Sequence, residues 1–247
     1  MAEDGSLPKG ARALMAGSFG PCRLGKYAQE QQNILDKLGI DLEVMTTVSN
    51  NAYSDLGLGS RFELLAWQGI VATDHLQRLL WMTRPYERRR GDTDAAYRSF
   101  LDRLLLAVES RRPIAPIMRD AAATFLELQD PTLPRRPLVG INGEIYLRAN
   151  RFCNKELVEV CEANGLEAEV APMSEWMKYV TLRNLEDGWA NRQFARLLRG
   201  ALRKLALDHY EGRVASWFEA AIHHREPSTQ ELLKASAEYL PSRNGSE

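Results

Sequence analysis

Apolar residues in this chain recur at two different periods. Residues 11–18 form a short, largely apolar run that predicts a buried strand. From about Pro21 to Leu38, Leu24, Tyr27, Ile34, Leu35 and Leu38 fall at helical spacing, and Gly39 follows where a helix C-cap favours glycine. Ile40–Val48 (IDLEVMTTV) returns to extended character, with β-branched residues gathered at its end. Strand, helix and strand in this order predict a βαβ unit, and such a crossover implies parallel pairing.

Beyond the polar stretch SNNAYSDLGLGSRF, the spacing of Leu64, Leu65, Trp67, Ile70, Val71, His75, Leu79 and Leu80 predicts a helix over 63–82 with a broad apolar face. TRPYERRRGDTDAAY interrupts it, and two more helices are expected over 95–108 and 114–128, separated by the proline corner SRRPIAP. QDPTLPRRP reads as a linker. The pattern then restarts: PLVGING is a strand entering a glycine turn, 150–164 a helix closed by Asn164 and Gly165, and LEAEVAP a second strand. Pro172 to Glu175 opens a helical run to about Tyr210, basic on one face through Arg192, Arg196, Arg199, Arg203 and Lys204, and apolar through Phe194, Leu197, Leu198, Leu202 and Leu205. A last helix is expected after Ser228 or Thr229 as its N-cap. The expected fold class is α/β: a first βαβ unit over 10–60, a mainly helical segment over 61–130, a second βαβ unit over 136–175 and a helical C-terminal segment over 176–240.

The composition narrows the function classes. The chain has 247 residues, 45% of them hydrophobic, enough to bury a sizeable core, and its formal net charge of −1 gives no general attraction for nucleic acid or anionic lipid. No run of about eighteen apolar residues occurs, and MAEDGSLPKG lacks the layout of a signal peptide, so a cytoplasmic protein is expected. The basic stripe over 192–204 is interleaved with leucines rather than aromatics and reads as a solvated face. Three cysteines make no disulfide framework. The phosphate loop GxxxxGK[ST], the dinucleotide turn GxGxxG and the nucleophile elbow GxSxG are all absent from the sequence.

Two stretches carry candidate chemistry. In GPCRLGKY, Cys22 follows a predicted strand at or just before a helix N-terminus, where unpaired N–H groups and the helix dipole favour a thiolate, and Arg23 and Lys26 add positive charge. A buried structural cysteine is the alternative. Cys153 and Cys161, eight apart on one predicted helix and so about 12 Å apart by helical rise, are too distant to share a metal ion and read as packing residues. In GINGEIYLRANRFCN, Glu144, Arg148, Asn150, Arg151 and Asn154 crowd a strand-to-helix connection. An arginine there can grip a phosphate or carboxylate bidentately. The alternative is a Glu144–Arg148 ion pair with Asn150 as an N-cap. His75 reads as a packed histidine, and His223–His224 as a solvated helix end.

In order along the chain, GSFGPCRLGKYAQEQQNILDKLG, WQGIVATDHLQRLLWMTRPYE, VGINGEIYLRANRFCNKELVEVCEANGLEAEVAPMSEWMKYV and EPSTQELLKASAEYLP resemble the 2-hydroxyacyl-CoA dehydratase/benzoyl-CoA reductase superfamily. The branch most similar is that of the large CoA-substrate-specific enzyme activases, related to 2-hydroxyglutaryl-CoA dehydratase activators. The resemblance implies flavodoxin-like or Rossmann-like parallel-sheet units with a helical insertion, and a 4Fe–4S iron–sulfur cluster held by cysteines in a cleft. It also implies electron transfer with an ATP-dependent activator or companion dehydratase-type subunit, and a CoA thioester as substrate class. Cys22 matches the branch's cluster cysteine, and Glu144, Arg148, Asn150 and Asn154 match its GEIYvR.N motif, which would line the same cleft. The further cysteines that such a cluster requires have no counterpart here, since a cluster takes roughly three or four thiolates. The chain is therefore expected to be an internal portion of such a protein or one subunit of an assembly that completes the site. A cluster-free scaffold or interaction subunit of such a system is the other expectation.

Overall fold

Gly39 ends the first helix where its place in the sequence predicts. It sits at φ 69°, in the left-handed region that favours glycine, and donates its N–H to Asp36 O while Ile40 N–H reaches Leu35 O at 3.0 Å. The computed structural model describes residues 7, 10–17, 23–47, 60–218, 221 and 227–239. Two compact units divide the chain, one of residues 1–63 with 230–247 and one of 64–229.

In the first unit, β1 (Arg12–Ala16), α1 (Leu24–Leu38) and β2 (Glu43–Thr47) form the expected βαβ crossover. The strands pair in parallel from Arg12↔Glu43 to Ala16↔Thr47. Gln32 ties helix to strand, its Oε1 accepting from Val44 N at 2.8 Å and its Nε2 donating to Leu42 O at 3.2 Å. The Arg12–Glu43 pair at 2.8 Å is exposed on both sides and contributes little. Cys22, with Pro21, lies outside the described residues.

The second unit begins within α2 (Ser60–Thr83), which runs into a one-turn 3₁₀ helix, Arg84–Tyr86, with Pro85 near its start. α3 (Asp92–Glu109) starts three residues before the periodicity predicts. The Glu87 carboxylate explains this by accepting from Gly91 N at 2.9 Å and Thr93 N at 3.1 Å, which satisfies amides at the new helix end. α4 (Ala115–Leu128) follows the proline corner. Next come β3 (Leu138–Ile141), α5 (Ile145–Ala149), α6 (Leu157–Ala163) and β4 (Glu167–Val170). The parallel register of the two strands runs from Leu138↔Glu167 to Ile141↔Val170. α7 (Met173–Ala190) and α8 (Phe194–Ser216) replace the single run expected after 175, broken at 191–193. α9 (Thr229–Ser236) is the last described helix. The described chain is thus mixed α/β, mostly helical, with two small parallel two-stranded sheets.

The core of the second unit is helical. Val71, Leu76 and Leu79 of α2 meet Phe100 and Leu104 of α3, Met118 and Phe125 of α4, and Leu207 and Val214 of α8. A smaller apolar cluster, Ile141, Val158, Ala168 and Val170, backs the β3–β4 pair, with Trp81 and Cys161 packed against it. α7 and α8 approach closely at Gly200, where a Cβ would stand 2.7 Å from Leu185 Cδ2. The apolar residues of α8 do not share one face. Leu207 and Val214 are buried, whereas Phe194, Leu198, Leu202 and Leu205 are exposed.

Candidate functional site

Within residues 64–229 a cleft of about 620 Å³ opens beside the carboxyl ends of β3 and β4 and runs along α2 and α3. Its volume falls in the range of small-molecule sites. Ile70, Trp81, Tyr97, Leu104 and Leu105 give it apolar walls, and Asp74, Arg78, Arg148, Asn154 and Glu169 are among its polar lining.

Two turns build the polar end. After β3, Gly143 (φ 144°) lets the chain turn, and Glu144 caps α5 by accepting from Leu147 N at 2.8 Å. After β4, the chain turns at Pro172 into α7, whose first amides are taken by α2: Asp74 Oδ1 accepts from Met173 N at 3.2 Å and Oδ2 from Ser174 N at 2.8 Å. Arg148 bridges both turns. Its Nη1 donates to Asn142 Oδ1 and Gly143 O, each at 3.4 Å, and its Nη2 to Pro172 O at 3.3 Å. Asn154 holds the Arg148 backbone, Nδ2 donating to Arg148 O at 2.9 Å.

Burial raises the pKa of Asp74, and the Ser174 and Met173 donors, with the Arg148 charge, counter it in part. An Asp74→Ala substitution is expected to cost about 1–2 kcal/mol, since it removes an N-terminal cap held by another helix. Urea unfolding checks the loss, and increased proteolytic cutting near residue 172 would locate it. Burial lowers Arg148, against the pull of Glu175, Asp74 and Glu144, and burial raises Glu175. His75 lines the cleft with its ring stacked on Phe218 at 5.0 Å. Burial, then the charges of Arg78 and Lys178, lower its pKa to about 4, so the imidazole is neutral at pH 7.

Ion pairs surround the cleft. Arg78 meets Glu169 at 3.1 Å, and Lys178 meets Glu211 at 2.7 Å. Arg84 holds Glu162 side-on, Nε to Oε2 at 2.7 Å and Nη2 to Oε1 at 3.0 Å, and contacts Asp94 at 2.9 Å. Arg151 is engaged by Glu156 at 2.6 Å and Glu159 at 2.7 Å.

Of the residues singled out in GEIYLRAN and its flank, the cleft brings together Arg148, Arg151 and Asn154. Glu144 and Asn150 serve local turns instead. Asn150 Nδ2 donates to Tyr146 Oη at 3.0 Å, and its Oδ1 accepts from Cys153 N at 2.9 Å. That bond closes a turn rather than capping a helix, because α6 begins only at Leu157. Cys153 is consequently off the helix and exposed, while Cys161 is half-buried on it. Asp74, Arg78 and Glu169 were not singled out for binding from the sequence. Asp74 and Arg78 are two of several polar residues in α2, and Glu169 shares β4 with Glu167, so no sequence signal sets them apart.

Among the described residues the donors do not gather for an iron–sulfur cluster. The chain has three cysteines, Cys161 packs against the apolar cluster behind the sheet, and among the described residues no three His, Cys, Asp or Glu side chains gather as metal ligands. Among the described residues no helix is long and apolar enough to cross a membrane. Compared with known proteins, the chain matches no family model, no curated protein and no solved structure.

Proposed function

We propose that the chain is the ligand-binding component of an electron-transfer system of the 2-hydroxyacyl-CoA dehydratase kind, acting beside an ATP-dependent activator or a companion dehydratase-type subunit. One observation carries this reading: Arg148 of the GEIYLRAN motif and Asn154 just beyond it line a cleft off the carboxyl ends of a parallel strand pair. Ligands of open α/β sheets bind there. The two βαβ units support a flavodoxin-like or Rossmann-like ancestry for the fold. In this reading a cluster belongs to the assembly, with Cys22 as this chain's thiolate and the remainder from the companion polypeptide.

The test is anaerobic co-expression with the neighbouring genes, followed by iron and acid-labile sulfide analysis of the purified complex. Iron and sulfide are expected in the complex, reduced by Cys22→Ala and absent from the chain purified alone. An iron-free complex would overturn the electron-transfer reading and leave the cluster-free scaffold.

A further inference from the structure

We propose that Arg148 anchors a binding site for a monoanionic amphiphile, a carboxylic acid with an apolar body, and that the coenzyme A nucleotide is not what this cleft recognises. The proposal rests on the reading of the cleft as a ligand site and names its ligand class.

The arginines that line the cleft differ in their partners. Arg78 has Glu169, Arg84 has Glu162 and Asp94, and Arg151 has Glu156 and Glu159. Arg148 differs: among the described residues no carboxylate lies within 4.0 Å of it. Its hydrogen bonds, at 3.3–3.4 Å, all go to neutral oxygens of the two turns. These contacts orient the guanidinium, and Glu175, Asp74 and Glu144 offset its burial only in part, so its pKa stays below the ordinary value. Its Nε–H has no acceptor among the described residues, and Nε together with Nη2 is the pair through which Arg84 holds Glu162 side-on. A ligand carboxylate would meet Arg148 in the same forked geometry, which suits arginine in particular.

The surroundings limit the ligand to one negative charge. Asp74, Glu144 and Glu175 lie near enough to act on Arg148 electrostatically. They would repel a second anionic group, and the other lining arginines are already matched to carboxylates. A polyanion such as the coenzyme A nucleotide therefore finds no set of cations here, whereas Ile70, Trp81, Tyr97, Leu104 and Leu105 supply apolar surface for the body of the ligand.

Isothermal titration calorimetry of the full chain with octanoate, octanamide and coenzyme A tests this. Octanoate is expected to bind, while octanamide and coenzyme A bind at least about tenfold more weakly. Arg148→Gln should weaken octanoate at least about tenfold, and Arg148→Lys should fall between, keeping the charge but losing the fork. Arg103→Gln, in the exposed Arg103–Asp120 pair, should leave octanoate affinity unchanged. Circular dichroism confirms that each variant is folded; if Arg148→Gln is not, the Arg148→Lys measurement decides. Equal affinity for octanamide, tighter binding of coenzyme A, unchanged affinity in the Arg148 variant, or no binding of millimolar octanoate would each overturn the proposal. Iron and sulfide in the complex are measured independently of the cleft, so failure of the ligand class is distinguishable from failure of the electron-transfer reading.

Discussion

Replacing Arg84 by alanine is expected to destabilise residues 64–229 by about 3–5 kcal/mol, a fall in melting temperature of roughly 6–20 °C. The side chains of Arg84 and Glu162 are each only 12% exposed. Burial works against the Arg84 charge, and the bonds and charges of Glu162 and Asp94 outweigh it, holding its pKa above the ordinary value. Burial raises the pKa of Glu162, and Arg84 opposes that rise. Removing the guanidinium would leave Glu162 buried beside Asp94 and Glu159 with its counter-charge gone, which is the costly way to break such a pair. Urea unfolding of Arg84→Ala, Glu162→Gln and the double variant measures this. The double variant should lose less than the sum of the singles, because the second change removes the stranded charge. A loss below about 1 kcal/mol in Arg84→Ala would mean that the network behaves as a surface one.

The second large effect is acid sensitivity centred on His75. In the unfolded chain its imidazole titrates near its ordinary 6.5, whereas in the fold it titrates at about 4. Between these values the unfolded state binds the extra proton, so the contribution of His75 to stability is complete above about pH 6.5 and is lost as the pH falls towards 4. The shift corresponds to about 3 kcal/mol. Asp74, Glu162 and Glu175 have raised values and act in the opposite sense, because their carboxyls hold protons longer in the fold and stability falls as pH rises through their windows. The informative measurement is therefore a difference. Unfolding free energies of the natural chain and of His75→Leu, followed from pH 7 to about pH 4, should diverge, with the variant losing less stability on acidification. Parallel curves would show that His75 is not buried as a neutral ring.

Local chemistry explains why some of this fold was legible in the sequence. Gly39 after Leu38, the proline corner before Ala115 and Asn164–Gly165 after Ala163 are contiguous signals, and α1 and α6 end and α4 begins there. The early start of α3 was not legible, because its cap comes from Glu87, which reads as part of a polar loop until the chain turns. The same limit applies at the cleft. GEIYLRAN and its flank show their polar richness at a strand-to-helix connection in any reading, but the split between local cap and turn bonds (Glu144, Asn150) and cleft lining (Arg148, Arg151, Asn154) depends on where α6 begins. Asp74 is the clearest case of a residue beyond sequence reach. It acts on amides 99 and 100 positions away. α8 shows the converse, since helical periodicity identifies an apolar set but does not say which members are covered.

The clasp around the one-turn helix Arg84–Tyr86 has a consequence for synthesis. Arg84 is 78 residues from Glu162, Tyr86 is 81 from Glu167, and Asp74 is 100 from Ser174. At roughly 5–20 residues per second, a ribosome delivers these partners about 4–20 s after the groups that need them. Throughout that interval Tyr86 lacks its Glu167 acceptor and Arg84 has Asp94 but not Glu162, and the face of α2 that ends beside them is uncovered on the cleft side. The α3–α4 hairpin, made of near neighbours in sequence, is the shelter available first, because it can form against α2 before either strand of the β3–β4 pair has left the tunnel.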